Sequence, residues 1–216
     1  MFKKHYHSSS SPTEVDSIAN LSTKLELNSA FLKWLSGFVD AEGNFGIRHN
    51  SKTKQLAFVF RIHLHLDDLA VLQRIKNELS LIAGREIGGI SINGKKNTAE
   101  LTIGEFNIIK NLIIPILNKY PLRTTKYLDF KDWEKACLLA KQCSTRGLPA
   151  ETLATILELK KGMNTGRTNF DSNLLPQGQL EPLWVVGFWE GDGSFYVRIN
   201  DLTPVLAMTK KKLLVF

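Results

Sequence analysis

Large apolar residues recur at every second position from Leu56 to Leu66. Leu56, Phe58, Phe60, Ile62, Leu64 and Leu66 fall on one side, and Val59, Arg61, His63 and His65 on the other. A period of two sustained this long predicts a strand with one apolar and one polar face. Shorter alternations run through Phe45 and Ile47, through Ile90 and Ile92, and through Ala99, Leu101 and Ile103. The last two bracket Asn93-Gly-Lys-Lys-Asn97, a hairpin turn by its Asn-Gly signal. Between the strands the period changes to that of a helix. Leu69, Leu72, Ile75 and Leu79 form a stripe behind a capping Asp67 or Asp68. A second helical run covers Glu105 to Tyr120, with Pro115 expected to end or kink it, and a third passes through Trp133 and Leu139. The first helix is expected to start at Asn28 or Ser29 and to run to Asp40. Residues 1–27 read as a mobile lead-in.

One stretch occurs twice. Trp34-Leu-Ser-Gly-Phe-Val-Asp-Ala-Glu-Gly43 is matched by Trp184-Val-Val-Gly-Phe-Trp-Glu-Gly-Asp-Gly193. At a constant offset Trp34/Trp184, Gly37/Gly187, Phe38/Phe188, Gly43/Gly193, Phe45/Phe195, Arg48/Arg198 and Asn50/Asn200 are identical, and Asp40/Glu190 and Glu42/Asp192 keep their charge. Such a repeat implies two copies of one unit related by pseudo-symmetry. Each copy is a helix that ends in acid-x-acid-Gly and passes into a strand, so Gly43 and Gly193 are expected to be caps with positive φ. Small residues recur four positions apart, Gly37 to Ala41 and Gly187 to Gly191, which lets two helix backbones approach closely. The two helices are therefore expected to pack on each other. That brings Asp40, Glu42, Glu190 and Asp192 together at two helix C-termini that already carry partial negative charge. A divalent cation with oxygen ligands, such as Mg²⁺, answers the repulsion; solvated helix ends are the alternative.

The two copies, Ser36-Gly-Phe-Val-Asp-Ala-Glu-Gly43 and Val186-Gly-Phe-Trp-Glu-Gly-Asp-Gly193, resemble the signature of LAGLIDADG homing endonucleases of the single-chain, two-motif kind found in organellar introns. The resemblance implies an α+β fold: an αββαββα unit with a saddle-shaped antiparallel sheet along the DNA major groove, plus the start of a pseudo-symmetric second unit. It maps metal binding and catalysis onto Glu42 and Asp192, with Glu in place of Asp in the first motif, and it gives Asp40 and Glu190 the work of holding the helix ends. The segment Tyr120-Pro-Leu-Arg-Thr-Thr-Lys-Tyr-Leu-Asp-Phe130 resembles the family segment whose lysine approaches the metal centre, which assigns Lys126 a catalytic role. A solvated lysine at a helix start is the other reading of Lys126. The family also implies a mitochondrial or other organellar location.

Charge sharpens the choice of partner. The 216 residues carry 28 basic against 21 acidic side chains, a net charge of +7, which favours a polyanion. The polar face of the strands bears Asn44, Arg48, Arg61, His63, Ser91, Asn93 and Thr102, rimmed by Lys52, Lys54, Lys95 and Lys96, with Arg198 as the second copy of Arg48. These donors suit phosphates and base edges of double-stranded DNA, although any one of them also fits an ordinary solvated face. Cys137 and Cys143 have no partner at metal spacing and are expected to be reduced thiols. No apolar run reaches membrane-spanning length.

Domain limits follow: a tail over 1–27, a first LAGLIDADG domain over 28–143, a linker over 144–179 with a short helix to about Lys161, and the start of a second domain over 180–216. Within the linker Lys160, Lys161 and Arg167 are candidates for backbone phosphate. After Gly193 only one strand, Ser194 to Asn200, and a lysine-rich tail at Lys210 to Lys212 are expected, so half of the DNA footprint is missing. With a complete second half the expected assembly is a pseudo-symmetric monomer. An intron RNA maturase and an inactive remnant stand beside the endonuclease as readings.

Overall fold

The computed structural model describes residues 14–53, 55–141 and 148–208. The first motif forms α2 (Ser29–Glu42) and leads directly into β1 (Gly43–Asn50), which pairs antiparallel with β2 (Gln55–His65). After α3 (Leu69–Ala83) come β3 (Gly89–Asn93) and β4 (Thr98–Ile103). The four strands form one antiparallel sheet in the order β1-β2-β4-β3. The apolar face of β2 lies in the core as its alternation predicts: Leu56, Phe58, Phe60, Ile62 and Leu64 are all buried. Val59 departs from the pattern, being buried although it points to the polar side. It pairs with Gly46, which has no side chain, and the Arg61 guanidinium reaches over that glycine.

The helical run after β4 does not stop at its proline. It consists of α4 (Phe106–Ile108), a π-helical turn Ile109–Ile113 and α5 (Ile114–Lys119), with Pro115 in the first turn of α5. The wider π turn absorbs the proline by removing its clash with the preceding turn. Next, α6 (Lys126–Lys141) sets Phe130 and Trp133 against Phe45, with ring centroids 5.5 and 5.2 Å apart. The Trp133 indole N–H donates to the Gly46 carbonyl at 3.1 Å.

Two segments are more ordered than their sequence suggests. Of the lead-in, Glu14–Leu27 form α1, because Leu21 and Leu25 pack on the core and Lys24 donates to the Ile82 carbonyl at the end of α3. Residues 1–13 lie outside the described residues. The linker is likewise docked. Its helix α7 (Ala150–Gly162) buries Ile156 against the first unit, Met163 follows it into the core, and Arg167 is held between Asp129 and Asp132 of α6. Arg167 is thus an internal clamp and not a phosphate contact.

The second motif forms α8 (Pro182–Asp192), followed by β5 (Gly193–Arg198) and β6 (Thr203–Met208), an antiparallel hairpin where a single strand was expected. The Phe two residues after each motif's final glycine shows how the two copies differ. Phe45 is 0% exposed under α6, whereas Phe195 is 77% exposed.

Candidate metal and nucleic-acid site

The repeat becomes a helix pair in which each glycine seats the other helix's backbone. A Cβ on Gly37 would lie 1.9 Å from the Trp184 carbonyl oxygen, and one on Gly187 would lie 1.9 Å from that of Trp34. Only hydrogen fits at either position. The reciprocity is that of a two-fold interface. The aromatic rings repeat it: Trp34 stacks on Phe38 and Trp184 on Phe188, each pair with centroids 5.1 Å apart. Further along the stripe a Cβ on Gly191 would meet the Ala41 Cβ at 2.4 Å and the Glu42 Cγ at 3.1 Å. The four small residues Gly37, Ala41, Gly187 and Gly191 therefore line the contact.

Gly43 and Gly193 are glycines for a different reason from the one expected. Both have extended backbones, with φ of −67° and −84°, not the left-handed conformation. A Cβ on Gly43 would lie 2.6 Å from Val39 Cγ1, and one on Gly193 2.3 Å from the Trp189 ring. The chain turns so sharply from helix to strand that the preceding helical turn occupies the side-chain position.

The four acids separate into two kinds. Asp40 is fully buried, and its carboxylate accepts from the Arg123 N–H at 2.5 Å, the Thr124 N–H at 3.0 Å and the Thr124 hydroxyl at 2.5 Å. Burial pushes its carboxyl above the ordinary carboxylate range, against the pull of these donors and of the Lys126 charge. Glu190 accepts from the Trp34 indole at 2.9 Å. Asp40 thus ties the helix pair to the segment before α6, and Glu190 ties the two helices to each other. Glu42 lies with its side chain against Gly191, the residue before Asp192, and both Glu42 and Asp192 are partly exposed. Glu42 and Glu190 line one cavity of about 480 Å³ with His63, His65 and Thr98. No group of three or more His, Cys, Asp or Glu poised to hold a metal occurs among the described residues. The site thus offers a few carboxylate oxygens beside two helix C-termini. That donor set fits a hard cation that draws its remaining ligands from water and phosphate.

Lys126 opens α6 and turns back onto α2. Its ammonium donates to the Ala41 carbonyl at 2.8 Å and the Val39 carbonyl at 3.1 Å. A cation at a helix C-terminus offsets the dipole there, and this one sits one residue from Glu42.

On the sheet, Arg48, Lys52, His63, Asn93, Lys95 and Lys96 are exposed, whereas Asn44 and Arg61 are partly buried and joined by a 3.0 Å hydrogen bond. Asn93 also accepts from the Lys96 N–H within its turn. Arg198 is exposed and pairs with Asp201 at 3.2 Å. Lys54, Cys143 and Lys210 to Lys212 lie outside the described residues; Cys137 is a buried free thiol. Sequence reasoning missed Arg123 and Thr124 as partners of Asp40, and Asn164, which bonds Asn44. Nothing in the local pattern marks these three, because their importance comes from contacts more than eighty residues apart.

Residues 35–137 match the model of the LAGLIDADG endonuclease family. The chain is 29% identical over 202 residues to the uncharacterized mitochondrial protein RF1 of Saccharomyces cerevisiae, covering 90% of this chain and 39% of that protein. It is 36% identical over 102 residues to the probable intron-encoded endonuclease 3 of Neurospora crassa, covering 47% of this chain and 19% of that one. Among solved structures it resembles the LAGLIDADG meganuclease I-CpaMI bound to uncleaved DNA, with a TM-score of 0.66 and 27% identity over 81% of this chain and 65% of the other. The chain thus spans less than half the length of either curated relative. With the matched region, the four-stranded antiparallel sheet and the paired motif helices in agreement, residues 35–137 form a LAGLIDADG endonuclease domain.

Proposed function

We propose that this chain acts as, or within, a divalent-metal-dependent endonuclease that cleaves double-stranded DNA at a specific site, in the manner of an intron-encoded homing enzyme. The observation that carries the reading is the glycine-seated helix pair, which lays the Glu42 side chain against the residue preceding Asp192. In this reading the exposed cations of the sheet bind backbone phosphate, and Arg48, Arg61, His63 and Asn93 supply base contacts. The N. crassa relative, named an intron-encoded endonuclease, and the DNA-bound meganuclease support the same substrate.

Glu42 and Asp192 are the residues that would hold Mg²⁺. The bound ion supplies Lewis-acid activation and charge neutralisation for in-line phosphodiester hydrolysis. Asp40 fixes the chain at Arg123 and Thr124, and this segment delivers Lys126 to the end of α2. The Lys126 ammonium, pinned by two carbonyls, places positive charge where a phosphate develops negative charge. The mitochondrial name of the S. cerevisiae relative supports a mitochondrial site of action.

The test is cleavage of supercoiled plasmid carrying candidate target DNA, by the full chain with Mg²⁺. Glu42→Gln and Asp192→Asn are expected to bind duplex within about threefold of the parent and to leave it uncut. Unchanged nicking by Glu42→Gln would overturn the assignment. Preference for folded intron RNA over duplex, with indifference to both substitutions, would replace it with a maturase.

A further inference from the structure

The linker carries a residue that reaches the polar face of the sheet. Asn164 has a left-handed backbone, with φ of 55°, which Asn tolerates better than most residues. Its backbone N–H donates to Asp129 Oδ1 at 3.0 Å, and the Arg167 Nε donates to the same oxygen at 2.7 Å. A second Arg167 nitrogen holds Asp132. The turn is therefore bolted to α6, and its side chain faces the outer edge of β1, the edge strand of the sheet.

From that position Asn164 reads both polarities of the strand. Its Nδ2 donates to the Phe45 carbonyl at 3.1 Å, which fixes the orientation of its amide. Its Oδ1 then accepts from Asn44 Nδ2 at 3.2 Å, which fixes the Asn44 amide in turn. Asn44 is left with Oδ1 facing Arg61, and Arg61 Nη2 donates to it at 3.0 Å. With either amide reversed, an oxygen would face an oxygen or a donor a donor. We propose that Asn164 is a positioning residue for base recognition: through Asn44 it sets the orientation in which Arg61 presents its remaining N–H donors to DNA. The proposal rests on the DNA-cleavage reading above. It makes the linker part of the reading apparatus of the first unit, not a tether between two units.

A simple edge-closing role predicts different behaviour, because it would move stability without moving base choice. Asn164→Gly is the informative variant, since glycine keeps the left-handed backbone and deletes only the side chain. Full-chain protein would be put through binding selection on randomised duplex sites, as the parent, Arg61→Ala, Asn164→Gly and the double variant. Asn164→Gly is expected to relax preference about tenfold at the same base pairs as Arg61→Ala, and at no others. The double variant is expected to lose no more than Arg61→Ala alone, because the two act in series. A loss of melting temperature with base preference intact, or losses that multiply, would overturn the proposal. So would intact base preference in Arg61→Ala.

A second measurement needs no DNA. The ¹⁵N relaxation of the Arg61 guanidinium is expected to show a clear loss of order in Asn164→Gly. Unchanged Arg61 order sinks the positioning role even where duplex binding is strong. Unchanged order in the parent on adding duplex, with no binding, sinks the DNA reading instead and the proposal with it.

Discussion

Trp34 donates its indole N–H to Glu190 at 2.9 Å across the helix pair, while its repeat counterpart Trp184 is buried with an indole nitrogen that has no hydrogen-bond partner among the described residues. The pseudo-symmetry holds for the rings and breaks for the acids. Asp40, the counterpart of Glu190, is one methylene shorter and is already committed to Arg123 and Thr124. The two first acids therefore do related work by different bonds.

That asymmetry predicts unequal results from the same substitution. Both Trp→Phe changes shrink a buried ring, a loss the two positions share. Trp34→Phe also removes the bond to Glu190, so it is expected to cost about 1 kcal/mol more than Trp184→Phe, whose indole N–H has no partner among the described residues. Urea unfolding midpoints of the two variants decide. Equal destabilisation would contradict the structure's account of both indoles.

The close approach of the helices is expected to be intolerant of a single methyl. Gly37→Ala places a carbon where the Trp184 carbonyl now sits and forces the backbones apart. A cost of about 3 kcal/mol is expected, at the upper end of what overpacking imposes. Gly94→Ala, at a turn position where a Cβ meets nothing within 4 Å, is the control for the general effect of replacing glycine.

Asp40 gives a pH signature with a definite sign. Burial raises its folded pKa, so folding favours its neutral form relative to the unfolded chain. Its contribution is full below the ordinary carboxylate pKa of about 4. It is lost as pH rises through the raised folded value. Asp40→Asn removes this titration while keeping an acceptor for the two N–H groups and a donor for the Thr124 hydroxyl. Relative to the parent, that variant is expected to gain stability as pH climbs from about 4 and then to level off. Asp40→Ala removes the same titration and also strands the Arg123 and Thr124 N–H groups, so it is expected to cost about 3 kcal/mol near pH 4 and less as pH rises. A series of urea melts across pH measures both. A constant gap between parent and Asp40→Asn would contradict the burial argument.

Sequence pattern alone carried much of this architecture. The alternation in Leu56 to Leu66, the Asn-Gly turn and the helix stripes each became the element they predict, because period and turn chemistry are local properties. The doubled motif anticipated the helix pair, since the small-residue spacing is also written locally. What stayed hidden was long-range or steric. Arg167 reads as a linker cation until Asp129 and Asp132 are found beside it, and Gly43 reads as a left-handed cap until Val39 is found in the way. Pro115 suggested a helix end or a kink, and a π turn upstream let the helix continue.

The docked linker makes its own prediction. Arg167→Met leaves Asp129 nearly buried and without its strongest partner, so a loss of about 3 kcal/mol is expected. The same variant is expected to expose residues 164–170 to limited proteolysis, whereas Lys161→Met, at an exposed position on α7, leaves both readouts unchanged.

The central claim is that Glu42 and Asp192 take a divalent cation between the paired helix ends once duplex DNA supplies phosphate oxygens. Electron paramagnetic resonance of Mn²⁺ titrated into the full chain on duplex DNA measures this directly. The account predicts saturable Mn²⁺ binding by the parent that Mg²⁺ displaces, and its loss in Glu42→Gln with DNA affinity retained. Mn²⁺ binding of equal strength in Glu42→Gln and Asp192→Asn would contradict it.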